Sequence, residues 1–145
     1  MPVRLRRSCL IVPASSPKML AKAAELQADE IVVDLEDGVA VADKETARES
    51  LAGASARGTL AVRINGVRTP WWRDDLAAAA KADVIVVPKV ESPDEVAAVA
   101  ALLGTGVGLE VQIETARGLV EVDRSRATLS GCGCSRKSWL TYNPT

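Results

Sequence analysis

The 145-residue chain contains no histidine. That excludes Ser-His and Cys-His nucleophile pairs, histidine general bases and most zinc sites. Carboxylates, lysine, arginine and a hard, oxygen-ligated cation remain as the available chemistry. Cysteine is scarce. Cys9, Cys132 and Cys134 are too few and too unevenly placed for a disulfide framework, which suits a reducing compartment. No apolar run approaches the ~20 residues needed to span a bilayer, and the basic start "MPVRLRRSCLIVPASS" has an apolar stretch too short for a signal peptide. A cytoplasmic chain without a membrane partner is therefore expected. Concentrated positive charge is lacking too: 18 Lys and Arg stand against 19 Asp and Glu, and the basic residues are scattered except for Arg4 to Arg7. Such a chain has no electrostatic footprint for nucleic acid.

What the chain does have is a rhythm. A hydrophobic content of 48% with 26% charged residues provides a core for about one domain. Short apolar, β-branched runs begin at Cys9, Ile31, Leu60, Val84 and Leu109. Ala-rich segments with helical spacing lie between them, and several open with Ser or Thr before Pro, as at Ser16-Pro17, Thr69-Pro70 and Ser92-Pro93. Strand and helix thus alternate five times. Runs that are apolar on both faces and joined by crossover helices predict an α/β fold with a parallel sheet.

The polar residues choose between an open doubly wound sheet and a barrel. Asp34, Glu36 and Asp37 close the second run, Arg63 and Asn65 the third, Lys89 the fourth and Glu114 the fifth. Charges delivered to one rim by successive strands are how a (β/α)8 barrel builds its site, whereas a doubly wound sheet gathers ligand groups at one switch point, often with a glycine-rich first turn. The first turn, "VPASSPKM", has no glycine. A barrel takes roughly 250 residues, so a partial TIM barrel of about five βα units is expected. After Val122 the alternation stops, and residues 123–145 read as an irregular tail to a barrel portion at 1–122. In that tail Cys132 and Cys134 have no further His or Cys to make a metal site.

Within "EIVVDLEDGVA", three carboxylates crowd behind a buried run and need a positive partner. The blocks "RSCLIVPASSPKMLAKA", "ADEIVVDLEDGVAVADKETAR", "VRINGVRTPWW", "ADVIVVPKVESPDEV" and "VQIETARGL" resemble, in order and spacing, the citrate lyase β-subunit family of CoA-ester lyases, relatives of malyl-CoA and citramalyl-CoA lyases. The resemblance runs from about Arg7 to Leu119. It implies a TIM barrel, trimeric or hexameric. The implied reaction is Mg2+-dependent cleavage of a β-hydroxyacyl thioester into acetyl-CoA, or an acetylated carrier protein, and a 2-oxo acid.

Residue by residue, the resemblance makes Glu114 a metal ligand that also binds substrate. Arg63 becomes the cation that holds substrate oxygens where charge shifts. Glu36 and Asp37 join Arg63 as catalytic residues, with Asp34, Glu36 and Asp37 forming an acidic outer shell around metal-bound waters. Lys22, with Lys18 as the weaker match, becomes a phosphate contact for the acyl carrier. Mg2+ and arginine would then be the positive partners of the crowded carboxylates. Structural readings stand beside these: Glu114 as an ion-pair partner on the rim, Arg63 as a salt bridge to Asp37, and Lys89 as rim packing or a substrate contact. Lys44 and Arg48 read as a solvated helix face, and Trp71 with Trp72 as a wedge between helix and barrel.

The chain departs from the family pattern in two ways. A second metal carboxylate, in a Gly-x-x-Asp segment one strand further on, has no match after Glu114, and Asp123 falls too early. The carboxyl-terminal portion that supplies an acid/base from a neighbouring subunit is not matched either. Two expectations follow: a lyase present as its amino-terminal portion and inactive as such, or a non-catalytic remnant that binds acyl-CoA or a partner chain.

Overall fold

A computed structural model describes residues 6–131 and 139–142. The strands are β1 (Cys9–Pro13), β2 (Glu30–Asp34), β3 (Thr59–Arg63), β4 (Val84–Val87), β5 (Gly108–Ile113) and β6 (Trp139–Tyr142). The helices are α1 (Pro17–Glu25), α2 (Lys44–Ser50), α3 (Trp72–Ala78), α4 (Pro93–Ala100), α5 (Ala116–Val120) and α6 (Val122–Gly131). All neighbouring strands are parallel, and they lie side by side in chain order. The first five begin within a residue of the apolar runs, because Val and Ile fit a pleated surface covered on both sides.

Two separate apolar clusters show where the helices sit. Ile31, Val33, Val62, Ile85, Leu109, Val111 and Ile113 bury one face of the sheet against Leu20, Ala47, Trp72, Val96 and Leu129 of the helices. The alternate residues Val32, Ala61, Val84 and Val86 form a second cluster made of strand residues alone. Helices therefore cover one face and strand side chains line the other, as in a barrel wall rather than a doubly wound sheet. Trp72 is buried in the helix-side core, where a wedge was expected.

Two helix starts use the Ser-Pro signal directly. Ser16 accepts the amide of Met19, and Ser92 accepts the amide of Glu95. Thr69 does not cap: its hydroxyl donates to the Gly66 carbonyl at 2.8 Å, and α3 starts only at Trp72.

The expectation of an irregular segment from residue 123 is corrected over the described part of it. Residues 122–131 form α6, and 139–142 pair in parallel with β5. Ser125 and Leu129 turn one side of α6 into the core, but two anchors among Asp123, Arg124 and Arg126 make too weak a stripe to read from sequence. Cys132 and Cys134 lie outside the described residues.

Among the described residues β1 is paired only with β2, and Ile11 on its inward-facing side is 50% exposed. An open edge beside exposed apolar surface favours pairing with another chain. The expected result is self-association, with weight-average mass in sedimentation equilibrium rising with protein concentration. A concentration-independent monomer would contradict it.

Candidate functional site

Asp34 ends β2, and Arg63 lies opposite it at the end of β3, so the sheet register itself brings the two together. Asp34 Oδ1 accepts Arg63 Nε at 2.8 Å, and Oδ2 accepts the terminal guanidinium nitrogen at 2.9 Å. The same carboxylate accepts the amides of Glu36 at 2.8 Å and Gly38 at 2.9 Å. Burial alone would raise its pKa, but the Arg63 fork and the two amides together hold Asp34 below the usual carboxylate range. Gly38 is required here, since a Cβ would stand 2.5 Å from Asp34 Oδ2. The Asp34 hydrogen bonds hold Arg63 charged, with further support from the fields of Glu36 and Glu114. The predicted salt bridge of Arg63 to Asp37 is thus replaced by one to Asp34, because residues 34 and 63 share a register and residue 37 lies on the loop beyond.

Glu36 is buried and Asp37 is exposed, yet one lysine serves both. Lys89 Nζ lies 2.8 Å from Glu36 Oε1 and 2.8 Å from Asp37 Oδ2. Glu36 Oε2 sits 3.6 Å from Arg63 Nε and has no hydrogen-bond partner. Burial, only partly offset by Lys89 and Arg63, pushes the Glu36 carboxyl above its ordinary value. Beneath these side chains runs a buried polar frame. The Lys44 ammonium donates to the carbonyls of Leu35 and Glu36 at 2.6 Å each, and lies 5.6 Å from the Trp71 ring. Asn65 Nδ2 donates to the Leu35 carbonyl at 2.9 Å and to Asp75 Oδ2 at 2.7 Å, and Arg48 pairs with Asp75 Oδ1 at 3.2 Å.

The positive partners of the crowded carboxylates, among the described residues, are therefore Arg63 and Lys89, with Lys44 tying down the backbone between them. Lys44 is corrected from a solvated face to a buried support, and Arg48 to a half-buried one. The available signal was spacing: Lys44, Ala47 and Leu51 lie on one stripe, as do Trp72, Asp75 and Ala79, and all six are buried. Replacing Lys44 by Met should remove one donor from each carbonyl, leaving Glu36 with the Val39 amide and Leu35 with Asn65. A loss of about 1–3 kcal/mol is expected for the two lost hydrogen bonds from a charged donor, read as a lower urea midpoint with an unchanged slope. An unaltered midpoint would show that Lys44 does not hold the loop.

Glu114 follows β5 directly, at the parity of Glu110 and Gln112 and opposite to that of core residues Val111 and Ile113. Its charge is felt at Arg63, which places it on the same rim as the Asp34 and Glu36 cluster. Thr115 caps α5 by accepting the amide of Gly118, which stops the strand immediately after Glu114. No group of three or more carboxylate or cysteine side chains close enough to hold a metal occurs among the described residues. A site with a single protein carboxylate suits only a cation that keeps most of its water. Lys18 and Lys22 are exposed, four residues apart on α1, and share none of the cluster's hydrogen bonds or ion pairs given above. Among the described residues no helix is long and apolar enough to cross a membrane.

Comparison with known proteins gives the family and the fold. Residues 7–128 match the HpcH/HpaI aldolase/citrate lyase family. A (3S)-malyl-CoA thioesterase of Cereibacter sphaeroides is 46% identical over 121 residues, covering 79% of this chain and 42% of the relative. An L-malyl-CoA/beta-methylmalyl-CoA lyase of Rhodobacter capsulatus is 37% identical, with 87% of this chain and 46% of the relative covered. The crystal structure of CitE from Mycobacterium tuberculosis with magnesium, acetoacetate and coenzyme A superimposes with a TM-score of 0.76 at 32% identity, over 95% of this chain and 49% of that one. The chain spans less than half the length of these curated relatives.

Proposed function

Because the chain belongs to the HpcH/HpaI aldolase/citrate lyase family, we propose that it is the amino-terminal portion of a Mg2+-dependent carbon–carbon lyase acting on a β-hydroxyacyl thioester. The observation that carries this reading is the rim formed by Asp34, Arg63, Glu36 and Glu114, with Arg63 locked by Asp34 and an unpartnered buried oxygen on Glu36. The residues fit magnesium in kind: the acidic donors are all oxygens, Glu114 is the direct ligand, and Glu36 is an acceptor for a coordinated water. Bound there, the cation would supply Lewis-acid polarisation of the oxo acid's oxygens.

Cleavage breaks the bond between the thioester α-carbon and the hydroxyl-bearing carbon. The hydroxyl loses its proton, its carbon becomes the 2-oxo carbon, and the electron pair left on the thioester is finally protonated to acetyl-CoA. Arg63, fixed by its fork to Asp34, stabilises oxygen atoms on which charge shifts, without needing to reorganise. Glu36 Oε2 is the acceptor open to a hydroxyl or water proton, and its raised pKa suits it to hold one. Asp37, exposed and tied to Lys89, guards the mouth of this site. Lys22 and Lys18 on α1 are the candidate contacts for carrier phosphates. A cytoplasmic location and a homo-oligomeric state complete the reading.

The test is a chain extended by a family-like carboxyl-terminal half, incubated with malyl-CoA or citramalyl-CoA and Mg2+. Acetyl-CoA appearing with one equivalent of oxo acid supports the lyase. Free CoA with intact hydroxy acid would assign thioester hydrolysis instead, as in the name of the 46% identical relative.

A further inference from the structure

We propose that Lys89 is the positioning residue of this site: its ammonium clamps Glu36 and Asp37 so that the second oxygen of Glu36 stays open to a ligand O–H. The inference rests on the lyase reading for the identity of that ligand, and on geometry alone for the clamp. Lys89 stands just beyond β4 with φ of 52°, the one described non-glycine residue in the left-handed region. That conformation is disfavoured for a side chain with a Cβ and persists where surrounding contacts enforce it, most often at functional sites. The enforcing contacts are visible. Arg68 donates to the Lys89 carbonyl at 3.0 Å and is itself tied to Glu95 at 2.6 Å and Glu91 at 3.3 Å, at the start of α4. Glu95 in turn accepts the amide of Glu91 at 2.8 Å, which closes the cap of that helix. The main chain at residue 89 is thus held from below while the side chain reaches from the end of β4 to the loop after β2.

That reach decides how Glu36 is used. Lys89 takes Oε1, and Oε2 is left with only Arg63 Nε at 3.6 Å, too long for a hydrogen bond. A carboxylate oxygen shielded from solvent and without a donor carries an unmet demand, which a ligand hydroxyl or a cation-bound water can satisfy. Without the clamp, Glu36 is free to turn and pair fully with Arg63, closing the acceptor. The charged groups acting on Glu36 are Lys89, Arg63 and Asp37, with Lys44 close enough to feel its field.

The test compares the 145-residue chain with its Lys89→Met and Lys89→Arg variants. In glutamate 13C-carboxyl spectra, with the Glu36 signal identified by its loss in Glu36→Gln, Lys89→Met should shift the resonance and raise its titration midpoint by about one pH unit or more. Lys89→Arg should restore both. Calorimetric titration with pyruvate in the presence of Mg2+ should show at least about tenfold weaker binding for Lys89→Met, recovered by Lys89→Arg. A Glu36 signal that ignores Lys89→Met, or binding unchanged although the signal moves, overturns the proposal. If the unaltered chain binds no oxo acid, the lyase reading is left to the extended chain, and the carboxyl spectra alone decide the clamp.

Discussion

In a chain extended to the full barrel, Glu114→Gln is expected to lower kcat/KM for Mg2+-dependent malyl-CoA cleavage by about a thousandfold, and the 145-residue chain by itself is expected to release no measurable acetyl-CoA. The two outcomes share one cause. Catalysis of this kind depends on holding the oxo acid's oxygens against a fixed cation and Arg63, and a displacement of ~1 Å costs about a hundredfold. Glu114 is the single carboxylate that the β5 terminus delivers to the rim. The neutral amide keeps its shape and loses its charge, so the cation is left to water. Chelation of Mg2+ should then reproduce the loss in the unaltered extended chain and add nothing to the variant. The 145-residue chain is expected to fail because no group of three or more metal-binding side chains occurs among its described residues, which leaves the cation to water. Acetyl-CoA release by the short chain that disappears in its Glu114→Gln form would refute the inactivity and direct attention to Asp34, Glu36 and Asp37 as alternative ligands.

The second large effect is on stability. Asp34→Ala should cost about 3–5 kcal/mol, because it leaves the half-buried Arg63 guanidinium without its fork and strands the amides of Glu36 and Gly38. Arg63→Met should cost less, since Asp34 keeps both amides and lies within reach of the fields that remain. Chemical denaturation of the two variants checks the order, and equal losses would mean that the amides contribute nothing.

The pH dependence follows from the same groups. Asp34 is depressed in the folded chain, so its contribution is complete above its ordinary value of 3.8 and is lost as pH falls through its lower folded value. Glu36 is raised, so its contribution is complete below its ordinary value of 4.5 and is lost as pH rises through its higher folded value. The two windows lie on opposite sides of about pH 4, and Asp34→Ala should remove the acid limb while leaving the other.

How much of this site could be read without coordinates varied by residue. Arg63 and Asp34 are legible as strand-end charges, but their pairing is not: the structural reading of Arg63 named Asp37, and only the parallel register sets 34 opposite 63. Lys89 was legible as a strand-end charge with two readings, and its left-handed backbone and double ion pair were not. Lys44 and Asp75 were misread or missed, because a charged residue on an otherwise apolar stripe reads equally well as an edge of the solvated face.

The amino-acid sequence by itself determined the alternation of strand and helix, the absence of histidine chemistry, and the delivery of acidic and basic residues to one end of successive strands. These are local properties, set by side-chain volume, β-branching, capping residues and spacing, and they survive in one dimension. Tertiary structure alone decided that the helices share one face of the sheet, and that Arg63 belongs to Asp34 and Lys89 to Glu36 and Asp37. It also decided that one oxygen of Glu36 is left without a partner. Ion pairs and orphaned atoms depend on distances of a few ångströms between residues 29 to 53 positions apart, and only the register of the folded sheet sets those distances.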